Sequence, residues 1–182
     1  MAARELIILD RDGVINRDSK EFVKSPEEWL PLPGSIEAIA RLSQAGYTLA
    51  VASNQSGLAR GLFDWDTLHA MHDKLHGLVN DAGGRIDRIV VCPHGPDDDC
   101  DCRKPKPGLF HQLEQHYGQS LAGVIAVGDS LRDLQAAAAV SARPVLVRTG
   151  NGAETEKKLS GEFEGIDVFD SLADAADHWL SD

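Results

Sequence analysis

The sequence predicts an α/β domain, a Rossmann-like parallel sheet with helices on both faces. Three observations predict it. Short, wholly apolar runs alternate along the chain with amphipathic stretches of helical period. The runs have the continuous character of strands buried on both faces. Polar, glycine-bearing segments follow several of them, at the strand ends where open α/β sheets bind ligands. The 182 residues suffice for one full hydrophobic core. With no repeat, low-complexity tract or linker to divide them, a single domain is expected over 1–182.

The elements follow in order. Leu6–Leu9 is the first expected strand. The next segment, Asn16–Pro33, is polar with scattered aromatics (Phe22, Trp29) and reads as a flap over the sheet edge. Ser35–Ala45 reads as a helix, introduced by Gly34 and closed by Gly46. Further strands are expected at Tyr47–Ala52, Ile86–Val91, Val124–Val127 and Pro144–Val147. Further helices are expected at Trp65–Ala82, Gly108–Tyr117, Leu131–Ala139 and Ser171–Leu180. Pro93–Pro107, dense in Pro, Asp, Cys and Lys, reads as a stapled loop, and Asn151–Gly165 as a mobile surface connection.

Charge narrows the partners. A formal net charge of −11 argues against nucleic acid and anionic membranes. The compact basic cluster Arg103-Lys104-Pro105-Lys106 is too short to reverse that. No apolar stretch approaches the roughly 20 residues that span a bilayer, and Met1 to Leu9 lacks the pattern of a signal peptide. A cytoplasmic monomer acting on a small molecule is expected.

Chemistry concentrates in four segments. Asp10-Arg11-Asp12-Gly13 follows the first strand, so two carboxylates spaced i, i+2 stand at a sheet edge. One can attack while the other moves a proton, and both can help hold a hard cation. Ser53-Asn54-Gln55-Ser56-Gly57 follows the second strand, with a hydroxyl and backbone amides for phosphate oxygens. Arg103-Lys104-Pro105 brings a lysine to neutralise developing charge. Gly128-Asp129-Ser130 follows Val124–Val127 and adds a distal carboxylate, with Asp133 one turn further on. Asp133 has two open readings: orienting Ser130 or a metal-bound water, or standing on a helix surface.

Taken in that order, the four segments resemble the signatures of the haloacid dehalogenase-like phosphatase superfamily, over Leu6 to about Arg148. The resemblance implies that Asp10 attacks phosphorus to form an aspartyl-phosphate. It implies that Asp12 protonates the leaving oxygen and then deprotonates water. Ser53 and Lys104 would bind the transferring phosphoryl. Mg2+ would be held by the Asp10 carboxylate, the Asp12 backbone carbonyl and the Asp129 carboxylate.

A second signal is the run from Cys92 to Cys102, which reads Cys-x-His…Cys-x-Cys. Cys92, His94, Cys100 and Cys102 match a closed tetrahedral site for a structural Zn2+. The loop runs directly into Arg103 and Lys104, so its metal would set the position of the lysine. His69, His72 and His76, at helical spacing, are expected on a solvated helix face.

Within the superfamily, Ser53-Asn54-Gln55-Ser56-Gly57-Leu58-Ala59-Arg60-Gly61 resembles the heptose bisphosphate 7-phosphatase family of surface-polysaccharide (lipopolysaccharide) precursor synthesis. Histidinol-phosphate phosphatases, the near relatives, tend to carry aspartate at the place of Ser56. The five residues between His94 and Cys100 make a short loop more like that of the histidinol enzymes. The heptose reading gives Arg103 a remote anion to bind, and places Arg11, Asp18, Phe22, Asn54, Gln55 and Ser56 as further substrate contacts. With no domain-sized insertion, no cap domain is expected. Two non-enzyme readings stand beside these, a phosphate-sensing receiver-like module and a zinc-ribbon interaction module. Asp12 argues against the receiver, which has no use for an acid on the leaving group.

Overall fold

The computed structural model describes residues 5–181. Six parallel strands form one sheet: β1 (Leu6–Leu9), β2 (Thr48–Asn54), β3 (Arg88–Cys92), β4 (Ile125–Gly128), β5 (Arg143–Val147) and β6 (Asp167–Phe169). Their order is β3-β2-β1-β4-β5-β6. The chain winds outward from β1 in one direction and returns to pair β4 on its other side. The crevice at that switch point, outside the carboxyl ends of β1 and β4, is where such sheets bind ligands. It falls between Asp10 and Asp129.

Both faces of the sheet are covered, which is why β1 is apolar throughout. Ile7 and Leu9 face a core shared with α1 (Ser35–Gln44), α2 (Trp65–Asp81) and α6 (Leu172–Trp179). Leu6 and Ile8 face the opposite core, with α3 (Gly108–Tyr117) and α4 (Leu131–Ala139). Alternate residues of a strand point to opposite faces, so four consecutive apolar residues supply two to each core. Pro144 is tolerated inside β5 because β6 pairs only from Val145 onward, leaving the proline one neighbouring strand, β4.

Two expectations change. The segment 151–165 is built into the fold: it contains α5 (Gly152–Glu156) and a short 3₁₀ turn (Gly161–Phe163), with Thr155 and Phe163 buried. Thr155 Oγ1 donates to the Asp129 backbone carbonyl at 2.8 Å, tying this segment to the end of β4. The three-residue edge strand β6 follows it. The second correction is His72. It lies on the inner side of α2 and is 8% exposed, whereas His69 is exposed and His76 half-buried.

The flap is anchored at its base. Trp29 is fully buried, and Lys74 of α2 donates to the backbone carbonyls of Pro26 and Trp29, both at 2.7 Å. Among the described residues, no helix is long and apolar enough to cross a membrane.

Candidate active site

The switch-point crevice opens into a cleft of about 290 Å³. Asp10 leaves β1 at its floor, its backbone N–H still bonded to the Val127 carbonyl at 2.9 Å. Its Oδ1 accepts from the Arg11 backbone N–H at 2.9 Å and from Lys104 Nζ at 3.0 Å. Lys104 arrives from the loop before α3 and is 3% exposed. Its ammonium donates to Asp10 Oδ1, to Asp133 Oδ1 at 2.7 Å and to the Ala52 carbonyl at 2.8 Å. All three of its protons are engaged.

Asn54 fixes that loop. Its Oδ1 accepts from the Lys104 backbone N–H at 3.0 Å, and its Nδ2 donates to the Lys104 carbonyl at 3.1 Å. Asn54 lines the cleft, but both ends of its amide are committed to holding Lys104. β2 runs through Ser53 and Asn54, two residues beyond the expected strand end. Ser53 is 1% exposed, outside the cleft wall, and its Oγ accepts from Gln55 Nε2 at 2.8 Å. Gln55 and Ser56 line the wall itself.

The acidic side is a cluster of three. Carboxylate oxygens of Asp10, Asp129 and Asp133 lie within 4.8 Å of one another. Burial, and then repulsion from Asp133, push the Asp10 carboxyl well above the usual carboxylate range, with Lys104 opposing. Asp129 is pushed up to about 7, by burial first and by Asp133 second. Burial would raise Asp133 as well, but Lys104 beside it holds its carboxyl low. Hard carboxylate oxygens crowded at this distance suit a small divalent cation, whose charge offsets their repulsion. The donor set therefore fits magnesium.

The helix-surface reading of Asp133 is overturned: it is buried beneath the site. Its Oδ2 accepts from the backbone N–H groups of Asp129 and Ser130 and from Ser130 Oγ. That reciprocal cap starts α4, and the Ser130-x-x-Asp133 spacing is its sequence signal. Asn151, which sequence reasoning missed, donates to Asp129 Oδ2 from its backbone at 2.9 Å and from Nδ2 at 3.3 Å. Its Nδ2 also reaches Asp18 Oδ2 of the flap at 3.1 Å. Gly13 and Gly150 pack on Asp129 with φ of +88° and +57°. A Cβ on either would fall within 2.3 Å of Asp129 Oδ2, so no side chain fits there.

Asp12 lies across the cleft from Lys104. Its Oδ1 accepts from Arg11 Nε at 3.0 Å, Arg11 Nη2 at 2.8 Å and Asn16 Nδ2 at 2.8 Å. Its Oδ2 accepts from Gln55 Nε2 at 3.1 Å. Arg11 itself does not reach the cleft. It is fully buried and folded back onto its neighbour, so the expected substrate contact is replaced by a grip on Asp12.

At the mouth, Asp18, Ser19, Phe22 and Val23 of the flap face Arg60, Arg103 and Arg132. Arg60 stands 5.2 Å from the Phe22 ring centroid, a cation–π contact between flap and wall. Among the described residues, none of the three arginines is ion-paired, although eleven salt bridges form elsewhere. Burial, and next the nearby charge of Arg132, lower the Arg103 guanidinium below its usual value. Arg103 was expected at this rim; Arg60, from the turn after β2, and Arg132, from the first turn of α4, were not.

In the adjoining loop, Cys92 Sγ lies 2.9 Å from Cys102 Sγ and 3.9 Å from Cys100 Sγ. Those separations exceed a disulfide bond, and the three thiols are free. All three sulfurs lie within 4.8 Å of one another, but the His94 ring is outside that group.

Known proteins fit this geometry. A profile described as HAD-hydrolase-like matches residues 101–175. The chain is 58% identical over 174 residues to a D-glycero-beta-D-manno-heptose-1,7-bisphosphate 7-phosphatase of Pseudomonas aeruginosa, covering 96% of this chain and 97% of that one. It is 49% identical to the enzyme of that name from Neisseria meningitidis serogroup A, covering 98% and 96%. A crystal structure of D,D-heptose 1,7-bisphosphate phosphatase from B. bronchiseptica, complexed with magnesium and phosphate, superposes with a TM-score of 0.93. It is 57% identical, with 97% of this chain and 98% of that chain covered.

Proposed function

Because this chain belongs to the D-glycero-beta-D-manno-heptose-1,7-bisphosphate 7-phosphatase family of haloacid dehalogenase-like hydrolases, we propose that it removes the 7-phosphate of the beta heptose 1,7-bisphosphate and leaves the 1-phosphate. This is a magnesium-dependent phosphatase reaction in the synthesis of heptose precursors for lipopolysaccharide. The Asp10 carboxylate attacks phosphorus while the bond to the sugar oxygen breaks, and Asp12 protonates that oxygen. Asp12 then takes a proton from water, which attacks the aspartyl-phosphate, frees phosphate and restores Asp10. Lys104, 3.0 Å from the nucleophile, neutralises charge on the phosphoryl oxygens. Ser53 Oγ accepts from Gln55, and its own proton has only a 3.4 Å contact with the Asn54 carbonyl, so it can turn to a phosphoryl oxygen. The Asp10 and Asp129 carboxylates, with the Asp12 carbonyl, would hold magnesium. The cation supplies charge neutralisation at the transferring group and keeps Asp10 ionised.

The observation that carries the substrate choice is the rim of unpaired Arg60, Arg103 and Arg132. A second phosphate satisfies it, whereas histidinol phosphate would bring a cationic amine to three guanidiniums. Asp18 and Phe22 of the flap and Ser56 of the opposite wall are assigned to the sugar. We expect kcat/KM to favour the heptose bisphosphate over histidinol phosphate by at least about 100-fold. Equal or reversed preference in a phosphate-release assay would overturn the assignment.

The flap and the 92–102 loop serve as the walls of an uncapped site within a single domain over 1–182. Cys92, Cys100 and Cys102 would hold a structural zinc, with the His94 imidazole as fourth ligand after its ring swings toward the sulfurs. Elemental analysis should find about one zinc per chain, and Cys102→Ser should lose it together with most activity, since the loop carries Lys104. A zinc-free, fully active native protein rules the staple out. The protein is further read as a cytoplasmic monomer without nucleic-acid or membrane partners, and light scattering at the mass of one chain checks the monomer.

A further inference from the structure

His72 is the one buried histidine of α2, and the reaction just described does not use it. Its Nε2 lies 3.2 Å from Arg11 Nη1. An arginine only donates, so Nε2 must be the acceptor and the ring proton must sit on Nδ1. Burial first, and the Arg11 charge second, push the imidazole down to about 3, so it stays neutral over the working range. The other side of the same guanidinium grips Asp12 Oδ1 through Nε and Nη2. Asn16 Nδ2 completes three donors on that one oxygen, leaving Oδ2, which among the described residues accepts from Gln55 alone, to carry the proton.

We propose that His72 is a positioning residue for the acid–base carboxylate: its Nε2 locks the Arg11 fork, and the fork fixes which Asp12 oxygen faces the leaving group. The proposal rests on the reading of Asp12 as general acid. Without an acceptor at Nε2, the guanidinium can rotate about its last bonds, and Asp12 can turn Oδ1 toward the cleft. Misplacing a general acid reduces the proton-transfer step while leaving substrate binding intact.

The test uses His72→Leu, which removes the acceptor, and His72→Gln, whose amide oxygen can occupy the place of Nε2. Each is assayed on the heptose bisphosphate and on p-nitrophenyl phosphate, whose phenolate departs without protonation. For His72→Leu we expect kcat/KM on the sugar bisphosphate to fall about tenfold, with KM within about twofold, and the aryl phosphate to change less than about threefold. His72→Gln should recover to within about threefold of the parent on both substrates. The ratio between substrates is independent of the folded fraction, so lost stability does not imitate the effect. Equal losses on the two substrates, full activity of His72→Leu, or a Gln variant as poor as Leu would each overturn the proposal. Asp12→Asn runs in parallel. If it still turns over the bisphosphate, the reading of Asp12 fails; if it is dead while His72→Leu is unaffected, only the role of His72 fails.

Discussion

Asp10→Asn should lose at least about 10³-fold in turnover of the heptose bisphosphate while keeping its fold, because an amide cannot form the aspartyl-phosphate. The change is nearly isosteric, and Asn retains an oxygen that can accept from Lys104 Nζ and the Arg11 backbone. Steady-state phosphate release measures the loss, and circular dichroism with thermal melting verifies the fold. Turnover by a purified Asn variant above about 1% of the parent would refute nucleophilic attack by Asp10.

The same protein pair reports on the cation. Asp129 is pushed up to about 7 from an ordinary value of 3.8, so the folded protein holds its proton more tightly than the unfolded chain does. That contribution to stability is complete below the unfolded value and is lost as pH rises through about 7. Magnesium competes with the proton for these carboxylates, so its stabilisation should be larger near about pH 8 than near about pH 5.5. Asp10→Asn should shrink the magnesium-induced rise in Tm. A shift independent of pH would remove Asp129 from the cation site.

Much of this architecture was legible in the chain. The five longer strands announce themselves as apolar runs because both faces of the sheet are covered, and the ligand-bearing turns follow from where those runs stop. β6 was not legible: Asp167, Val168 and Phe169 form three half-buried residues at an edge, too few and too polar to show a period. The nucleophile, lysine and distal carboxylate could be found because their chemistry and order are local. Side-chain direction is not local. Nothing in the spacing of Asp10-Arg11-Asp12 says that Arg11 turns inward to His72, 61 residues away in sequence. Nor does local sequence bring Arg60, Arg132 and Asn151 to the cleft, since they come from the turn after β2, the first turn of α4 and the start of α5, each aimed by the tertiary packing. Asp133 lay between these cases, because its capping spacing with Ser130 was visible while its burial was not.

Lys104 is where charge balance and catalysis coincide, and two substitutions should separate them. Its ammonium, 3% exposed, bridges Asp10 and Asp133 at 3.0 and 2.7 Å. Burial alone would disfavour the charge, but the two carboxylates more than offset it and raise the lysine above its ordinary value. Lys104→Met removes the only cation bonded to either carboxylate among the described residues. Breaking a buried pair from one side should cost about 3 kcal/mol of stability, read from denaturant unfolding without magnesium. Activity should fall by about 10²-fold or more, because the phosphoryl oxygens lose their fixed positive neighbour. Adding Asp133→Asn removes one of the stranded charges and keeps an acceptor for Ser130. The double variant should therefore regain a substantial part of the lost stability but none of the activity. Strict additivity of the two stability losses would mean that the Lys104–Asp133 pair contributes no coupling. Recovery of activity in the double variant would mean that the lysine serves only to balance buried carboxylates, and phosphoryl binding would have to be reassigned to Ser53 and the backbone amides beside it.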